Sequence, residues 1–445
     1  MLEPQSTFLF IVLVVIFAGM MWWMIRTRRA ALRVVAAFVA FVVAVQFGIM
    51  AVNRYFDYYQ TWGAAFADLT NAAPPKGTQG TSGVTVLSKG HGLLTGQPIV
   101  PAIAEQQGFQ FETTLPGRLS HISRYAYIYL PAQYFQSAYR NYRFPVIELI
   151  HGQPGEPQDW INVMGVVAIM DGLVNRGLAK PAVLVMPDAN GGTNTSEQCL
   201  NQVHGQQDMT YLGLDVPNYV SSELPRVQAP GLGWGIAGYS EGGYCAANMA
   251  LQPMLSRRYG AAGVLSGYYA PFPDFINGKN VNPFGHNQKL RLLNTPDYEV
   301  KHLAPGQQIP LFWIGAGSGD KQDLDGASYF WNELSLYQAG APLKFQPGGH
   351  TMAVWRSQIS PMLEWMTPLL AQNALKIERI AQLAAEHSRE CAAAQAGRSK
   401  TDPAGTPSPN PSATIPAFCK HKTKPGAKPP AKKPHIKIKG HGSKP

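Results

Sequence analysis

The chain has 445 residues, of which 45% are hydrophobic and only 14% charged, with a formal charge of +10. That length exceeds one small domain and supports a large core. Residues 398–445 hold ten lysines and one arginine against Asp402 alone, 11 − 1 = +10, so the rest of the chain is close to neutral, which argues against nucleic-acid binding as a main role.

At the N-terminus, Thr7 to Ile25 is almost wholly apolar and long enough to span a bilayer. Arg26, Arg28, Arg29 and Arg33 follow, and Val34 to Val52 is a second apolar stretch. A secretory signal would carry positive charge ahead of the first run; here only Glu3 is charged there, and no small-residue cleavage site stands out. Residues 1–54 are therefore expected to form two transmembrane helices with a cytoplasmic arginine loop and both ends outside. Trp22 and Trp23 fall at the inner boundary, and Tyr55, Tyr58, Tyr59 and Trp62 at the outer one, as an aromatic belt would. A signal hairpin is the alternative, and it too would export the body of the chain.

Residues 55–83 read as a juxtamembrane segment and linker, with Gly, Pro, Thr and Ser dominating 71–83. A globular domain is expected over 84–372, a C-terminal alanine-rich helix over 373–397, and a disordered Lys/Pro-rich basic tail over 398–445. The tail suits loose contact with anionic wall polymers or lipid head groups, or plain solubilisation.

Within the globular part, Phe109 to Pro131 alternates apolar and polar residues, as antiparallel strands do. Short apolar runs then recur at Pro145–Ile150, Ala182–Met186, Trp234–Ala237, Ala262–Ser266, Leu311–Ile314 and Leu343–Phe345. Helical patterns such as Val163–Arg176 and Ala327–Ala339 separate several of them. Buried strands alternating with helices predict a mostly parallel sheet covered on both faces, with its chemistry at the carboxyl ends of the strands.

The third parallel run leads into Gly238-Tyr239-Ser240-Glu241-Gly242, the single G-x-S-x-G in the chain, and a helix-compatible run follows. Strand, tight turn and helix make a nucleophile elbow with Ser240 at its tip; an ordinary glycine-rich turn is the alternative. A serine hydroxyl needs a histidine to take its proton and a carboxylate to fix that histidine's tautomer. His350, in a Gly-Gly-His turn after a late strand and before a helix, suits the base, while His286 and His302 lie in a loop excursion. Asp320, after Gly315-Ala316-Gly317-Ser318-Gly319, is the expected acid, with Asp323 and Asp325 as close competitors and Asp274 as a further alternative. The expected oxyanion donors are the backbone amides of Glu241 and of Gln153, the latter just after the His151-Gly152 turn.

Of the four cysteines none is in C-x-x-C spacing, which weighs against zinc and thioredoxin-like readings. Cys199 and Cys245 are disulfide candidates because both fall near the catalytic edge of the expected sheet; buried free thiols are the alternative. Neither a nucleotide-binding glycine motif nor H-E-x-x-H nor an EF-hand pattern occurs, so no cofactor and no metal are expected.

Arg124 to Pro131, Ile150-His151-Gly152, Met186-Pro187-Asp188, the elbow, and Gly348-Gly349-His350 with Trp355-Arg356 together resemble the esterase D-like branch of the α/β-hydrolases. This branch includes S-formylglutathione hydrolases, siderophore and feruloyl esterases and mycolyltransferases. Two membrane helices ahead of such a domain, with a basic tail behind it, resemble membrane-anchored esterases of actinobacteria. The resemblance covers roughly residues 84–370. It implies an α/β-hydrolase fold and Ser–acid–His acyl-enzyme chemistry without a cofactor, on an ester substrate that the fold does not specify. Mycolyltransferases use a glutamate as the acid, and the matching loop here offers Asp320, which weakens that particular acyl group as a reading. The expected function is a membrane-anchored extracytoplasmic serine esterase. The alternatives are an acyltransferase acting on envelope lipids or glycans through the same residues, and a non-catalytic wall-binding protein on the same scaffold.

Overall fold

The structure is a computed structural model that describes residues 3–69, 85–86, 92–95, 97–192, 195–276, 278–338 and 341–396. The linker stretch expected at 71–83 and the basic tail expected at 398–445 lie outside the described residues. By contacts, Met1–Lys376 forms one compact unit and residues 377–445 a second.

Two helices open the chain, α1 (Thr7–Arg26) and α2 (Ala30–Phe56). Both are long and apolar enough to cross a membrane. They pair, with the Phe10 and Phe47 rings edge to face at 5.4 Å. Arg54 near the end of α2 donates to the Thr7 hydroxyl at 3.1 Å and to the Gln5 carbonyl at 3.3 Å, which sets the start of α1 level with the end of α2.

The body is an eight-stranded sheet. Its strands are β1 (Phe109–Pro116), β2 (Ser123–Leu130), β3 (Val146–Ile150), β4 (Val183–Pro187), β5 (Gly231–Tyr239), β6 (Tyr259–Leu265), β7 (Leu311–Gly317) and β8 (Leu343–Gln346). Across the sheet the order is β8-β7-β6-β5-β3-β4-β2-β1. Strands β1 and β2 run antiparallel to each other, and β2 is antiparallel to β4; every pairing from β4 to β8 is parallel. The four helices that matter for the site are α3 (Val166–Asn175), α4 (Glu241–Leu251), α5 (Lys321–Ser335) and α6 (Met352–Ala396). The last of these runs through the expected boundary at 372/373 without a break.

The central strands are apolar along their whole length because both faces are covered. On β5, Trp234 and Ile236 point into the core on one side, while Ala237 and Tyr239 point into the core on the other. The first core packs α4 and the chain around Cys199 against the sheet; the second packs α3 and the start of α6. The carboxyl ends of the neighbouring strands β3 and β5, and of β7 on the far side of β6, thus emerge at the same edge, at Ile150, Tyr239 and Gly317.

A buried carboxyl group sits in the middle of the sheet. Glu148 in the middle of β3 is fully buried; the Tyr259 hydroxyl donates to it at 3.0 Å, and burial pushes its carboxyl up to about 8.

Candidate active site

Strand β5 ends at Tyr239 and α4 begins at Glu241, so the whole turn is made by Ser240. Its backbone is forced to φ 55° and ψ −119°, a strained conformation for a residue with a side chain. The flanking glycines are required by contact. A Cβ on Gly238 would sit 2.1 Å from the Gly242 carbonyl oxygen, and a Cβ on Gly242 would sit 2.1 Å from that of Ile150. Only with both side chains absent can strand and helix close on each other and push the Ser240 hydroxyl outward.

The late histidine reaches this hydroxyl. Ser240 Oγ and His350 Nε2 are 2.9 Å apart. On the other side of the ring, His350 Nδ1 donates to Asp323 Oδ2 at 2.6 Å. Here the structure departs from the expectation that Asp320 supplies the acid. Asp320 is the N-cap of α5: its Oδ1 accepts from the backbone N–H groups of Gln322 at 3.1 Å and Asp323 at 3.2 Å. Its other oxygen lies 3.5 Å from His350 Nδ1, farther than that of Asp323. Asp323, one turn into the helix, is free to face the ring and is buried; burial raises its carboxyl pKa and the His350 contact opposes the rise.

The remaining candidates separate from the site. Asp325 pairs with Lys321 at 2.5 Å on the exposed face of α5. Asp274 is buried under the Gln198 and Gln202 amides, with its carboxyl pushed up to about 8 chiefly by burial. Asp320, Asp323 and His350 bring ligand-type atoms within 4.8 Å of one another. Both ring nitrogens of His350 are already engaged, so an ion there would have to break the Ser240–His350–Asp323 chain.

The acid loop and the histidine turn are locked together by small residues. Ser318 N–H donates to the Gln346 carbonyl at 2.8 Å and Gly319 N–H to the Gly348 carbonyl at 2.7 Å. A Cβ on Gly317 would fall 2.6 Å from the Gly348 carbonyl oxygen. Behind the histidine runs an aromatic ladder that the sequence alone did not reveal. His350 meets Trp355 edge-on at 4.8 Å, Trp355 stacks on Tyr239 at 4.9 Å, and Tyr239 meets Trp160 at 5.1 Å.

The oxyanion candidates flank the serine. Glu241 is the first residue of α4, where backbone N–H groups have no intrahelical partner. Gly152 and Gln153 follow β3, and a Cβ on Gly152 would press on Ser240 Cβ at 3.1 Å. His151 supports this turn. Its Nε2 accepts from Ala189 N–H at 3.1 Å, which leaves the proton on Nδ1 to be donated to the Gly152 carbonyl at 2.8 Å. The Glu241 side chain is buried, accepts from the Ser196 hydroxyl, and has its carboxyl pKa raised by burial. Three residues beyond Ser196, Cys199 is joined to Cys245 of α4 by a disulfide, so the helix behind the serine is tied to this loop at two points.

Ser240 and His350 open into a cavity of about 470 Å³ walled on the domain side by Gly152, Gln153, Met352 and Trp355. A second cavity of about 650 Å³ lies against β2 and is polar, with Arg124, Tyr125, Glu156, Gln158 and Asp188 among its walls.

The description "Putative esterase" belongs to the family whose pattern matches residues 122–366, more than half of the chain. The chain belongs to this family. It is an esterase-like α/β-hydrolase, and so an enzyme of the serine-hydrolase class. An uncharacterized protein of Corynebacterium glutamicum (strain ATCC 13032) is 28% identical over 252 residues, 55% of this chain and 57% of that protein. The chain thus spans just over half the length of the curated relative it matches. Among solved structures, a ferulic acid esterase is 21% identical, with a TM-score of 0.50 over 59% of this chain and 99% of that one. An S-formylglutathione hydrolase from Staphylococcus aureus is 19% identical, with a TM-score of 0.46 over 58% of this chain and 99% of that one. At such identities the likeness to the ferulic acid esterase is one of fold.

Proposed function

We propose that the protein is a membrane-anchored esterase that cleaves carboxylic esters through an acyl-enzyme on Ser240. The observation that carries this reading is the unbroken chain Ser240 Oγ–His350–Asp323 at the mouth of an apolar cavity. In this reading Ser240 attacks the ester carbonyl while His350 Nε2 takes its proton. Asp323 holds the proton on Nδ1 and stabilises the imidazolium. The amides of Glu241 and Gln153 receive the developing oxyanion. His350 then protonates the leaving alcohol, and a water deprotonated by the same nitrogen releases the acid and restores the serine.

The reading also assigns α1 and α2 to the membrane, with the arginines of residues 26–33 on the cytoplasmic side and the catalytic domain outside. The Cys199–Cys245 bond supports an oxidising compartment. It keeps residues 1–54 as the anchor, 55–83 as the juxtamembrane segment and linker, 84–372 as the catalytic domain and 398–445 as a basic tail, with the C-terminal helix expected at 373–397 continuing α6 rather than standing apart from it.

A second reading, acyl transfer to an envelope lipid or glycan, is favoured by the polar cavity. One short stretch serves both cavities: Gly152, Gln153 and Pro154 wall the apolar one, and Glu156 and Gln158 the polar one. A hydroxylated acceptor held there would replace water in the second step.

The test is to treat the purified full-length protein with a fluorophosphonate and with short-chain p-nitrophenyl esters. Covalent labelling and turnover, both lost in Ser240→Ala, are expected; turnover surviving in that variant would overturn the assignment. Adding sugar acceptors to the same assay separates transfer from hydrolysis, and a cysteine-accessibility map that put the domain in the cytoplasm would overturn the topology.

A further inference from the structure

The apolar cavity in front of Ser240 is completed by a helix from outside the hydrolase fold. Its remaining wall consists of Ile49, Val52, Asn53 and Phe56 of α2, followed by Tyr58 and Tyr59. This wall is fastened to the domain rather than merely near it. Arg356 of α6 donates to Asp57 Oδ2 at 2.9 Å and, through Nε, to the Val163 carbonyl at 2.9 Å. The Tyr58 hydroxyl donates to Asp159 Oδ1 at 3.0 Å, and Tyr58 and Tyr59 pack against the second core, while Asn53 braces the wall from within through hydrogen bonds with the Tyr59 backbone at 2.7 and 3.0 Å.

The depth of the cavity follows from helix geometry. An α-helix rises about 1.5 Å per residue, so the 20 residues of α1 cover about 30 Å, the hydrocarbon thickness of a bilayer. Arg54 is bonded to Thr7, the first residue of α1, which marks the outer end of that slab. Val52 and Ile49 then lie about 3 and 8 Å inside it, on the hydrocarbon side. Ile49, Val52 and Phe56 are also among the exposed large apolar side chains, 65%, 59% and 46% accessible. The same side chains that wall the cavity therefore continue into the surface that α2 would turn toward lipid.

We propose that the substrate is a membrane lipid carrying a long-chain acyl ester, and that its acyl chain reaches Ser240 sideways from the outer leaflet along α2. This rests on the reading of Ser240 as nucleophile and of α2 as a membrane span. The ester carbonyl of a bilayer lipid sits where hydrocarbon gives way to head groups, the level at which the cavity meets the helix. A chain that slides along Ile49 and Val52 never enters water, so the cost of extracting each methylene from the bilayer is avoided. The head group remains on the aqueous side, where the ester's alcohol leaves.

The test uses the full-length protein in phosphatidylcholine vesicles. Two substrates are compared, 4-methylumbelliferyl palmitate embedded in the vesicles and 4-methylumbelliferyl butyrate in the water phase. The readout is the ratio of their kcat/KM values. Val52→Trp and Ile49→Trp, made separately so that either suffices if the other fails to fold, should lower the palmitate-to-butyrate ratio by at least about tenfold. Val34→Trp, which adds bulk to an exposed position of α2 about 22 Å deeper than Ile49 and beyond the outer leaflet, should leave the ratio within about twofold of the wild type. An unchanged ratio in both cavity variants, or butyrate turnover without palmitate turnover in the wild type, would overturn the lipid route while leaving the serine chemistry standing. Butyrate turnover that survives Ser240→Ala would instead overturn the underlying assignment.

Discussion

The two walls of the apolar cavity are built in different ways. The wall made by the domain is rigid and polar at its working edge: Ser240 is held in a strained turn, His350 is bonded on both nitrogens, and Asp323 is fixed one turn inside a capped helix. The wall made by α2 is apolar, is attached through Asp57, Tyr58 and Tyr59, and comes from a part of the chain that no hydrolase core requires. Reactivity and selection of substrate are thus separable. On the proposed reading the first would rest on hydrogen bonds a few ångströms long, and the second on shape contributed from outside the fold.

Breaking the polar wall should have the largest effects. Ser240→Ala should lower kcat for a short ester by at least about 10⁴-fold, measured beside thermal unfolding that stays near wild type. Asp323→Asn should lower kcat by roughly 10²- to 10⁴-fold, because the wrong tautomer of His350 would then face the serine. Asp320→Asn, which keeps a capping side chain, should cost far less; if it proved the more damaging of the two, the acid would have to be reassigned.

The tether behind the serine comes next. Cys199 and Cys245 close a loop with a sequence separation of 46. Removing both by Cys→Ser exchange should cost on the order of 4 kcal/mol of stability by loop-closure entropy, seen as a lower denaturant midpoint. Loosening the borrowed wall should matter less to the chemistry. Arg356→Gln should raise KM for long-chain esters by about three- to tenfold with a smaller change in kcat, since the Asp57 pair it breaks is partly exposed. A fall in kcat equal to the rise in KM would show that the two walls are not separable.

The smallest effect is expected from Glu148, which belongs to neither wall. Its folded carboxyl pKa is pushed up to about 8 by burial. Between the usual carboxylate range and that value, the folded state holds a proton that the unfolded state has released, so stability falls as pH rises through the window. Glu148→Gln should flatten that slope in melts taken from about pH 5 to pH 8, and an unaltered slope would place the proton elsewhere.

Much of the domain wall was legible in the sequence, and little of the other. Apolar runs ending near Gly, Pro or Asp marked where the parallel strands lie along the chain, because strands buried on both faces leave no polar positions to blur them. Ser240 and His350 stood out because the turns that carry them are written in glycine. The choice between Asp320 and Asp323 was not resolved by spacing, since both follow the same strand. The signal was nevertheless present: Asp320-x-x-Asp323 ahead of a helical run is a capping pattern, which turns the first carboxylate back onto the helix and frees the second. The α2 wall had no local signal at all. Arg356 and Asp57 are 299 positions apart, and an arginine six residues after His350 gives no hint that it holds a helix from the other end of the chain.

The contact between Gly317 and the Gly348 carbonyl has a consequence for how this enzyme would decay under mutation. Charged residues of a relay announce their loss at once, but here the acid loop and the histidine turn keep their spacing only because one methyl group is missing between them. Alanine at position 317, chemically the mildest change available, would wedge the two loops apart and stretch the His350–Asp323 bond while leaving every reactive group in place. A gene could lose its activity by that route with a complete set of catalytic residues still readable in its sequence, and a comparison of motifs alone would count it as intact.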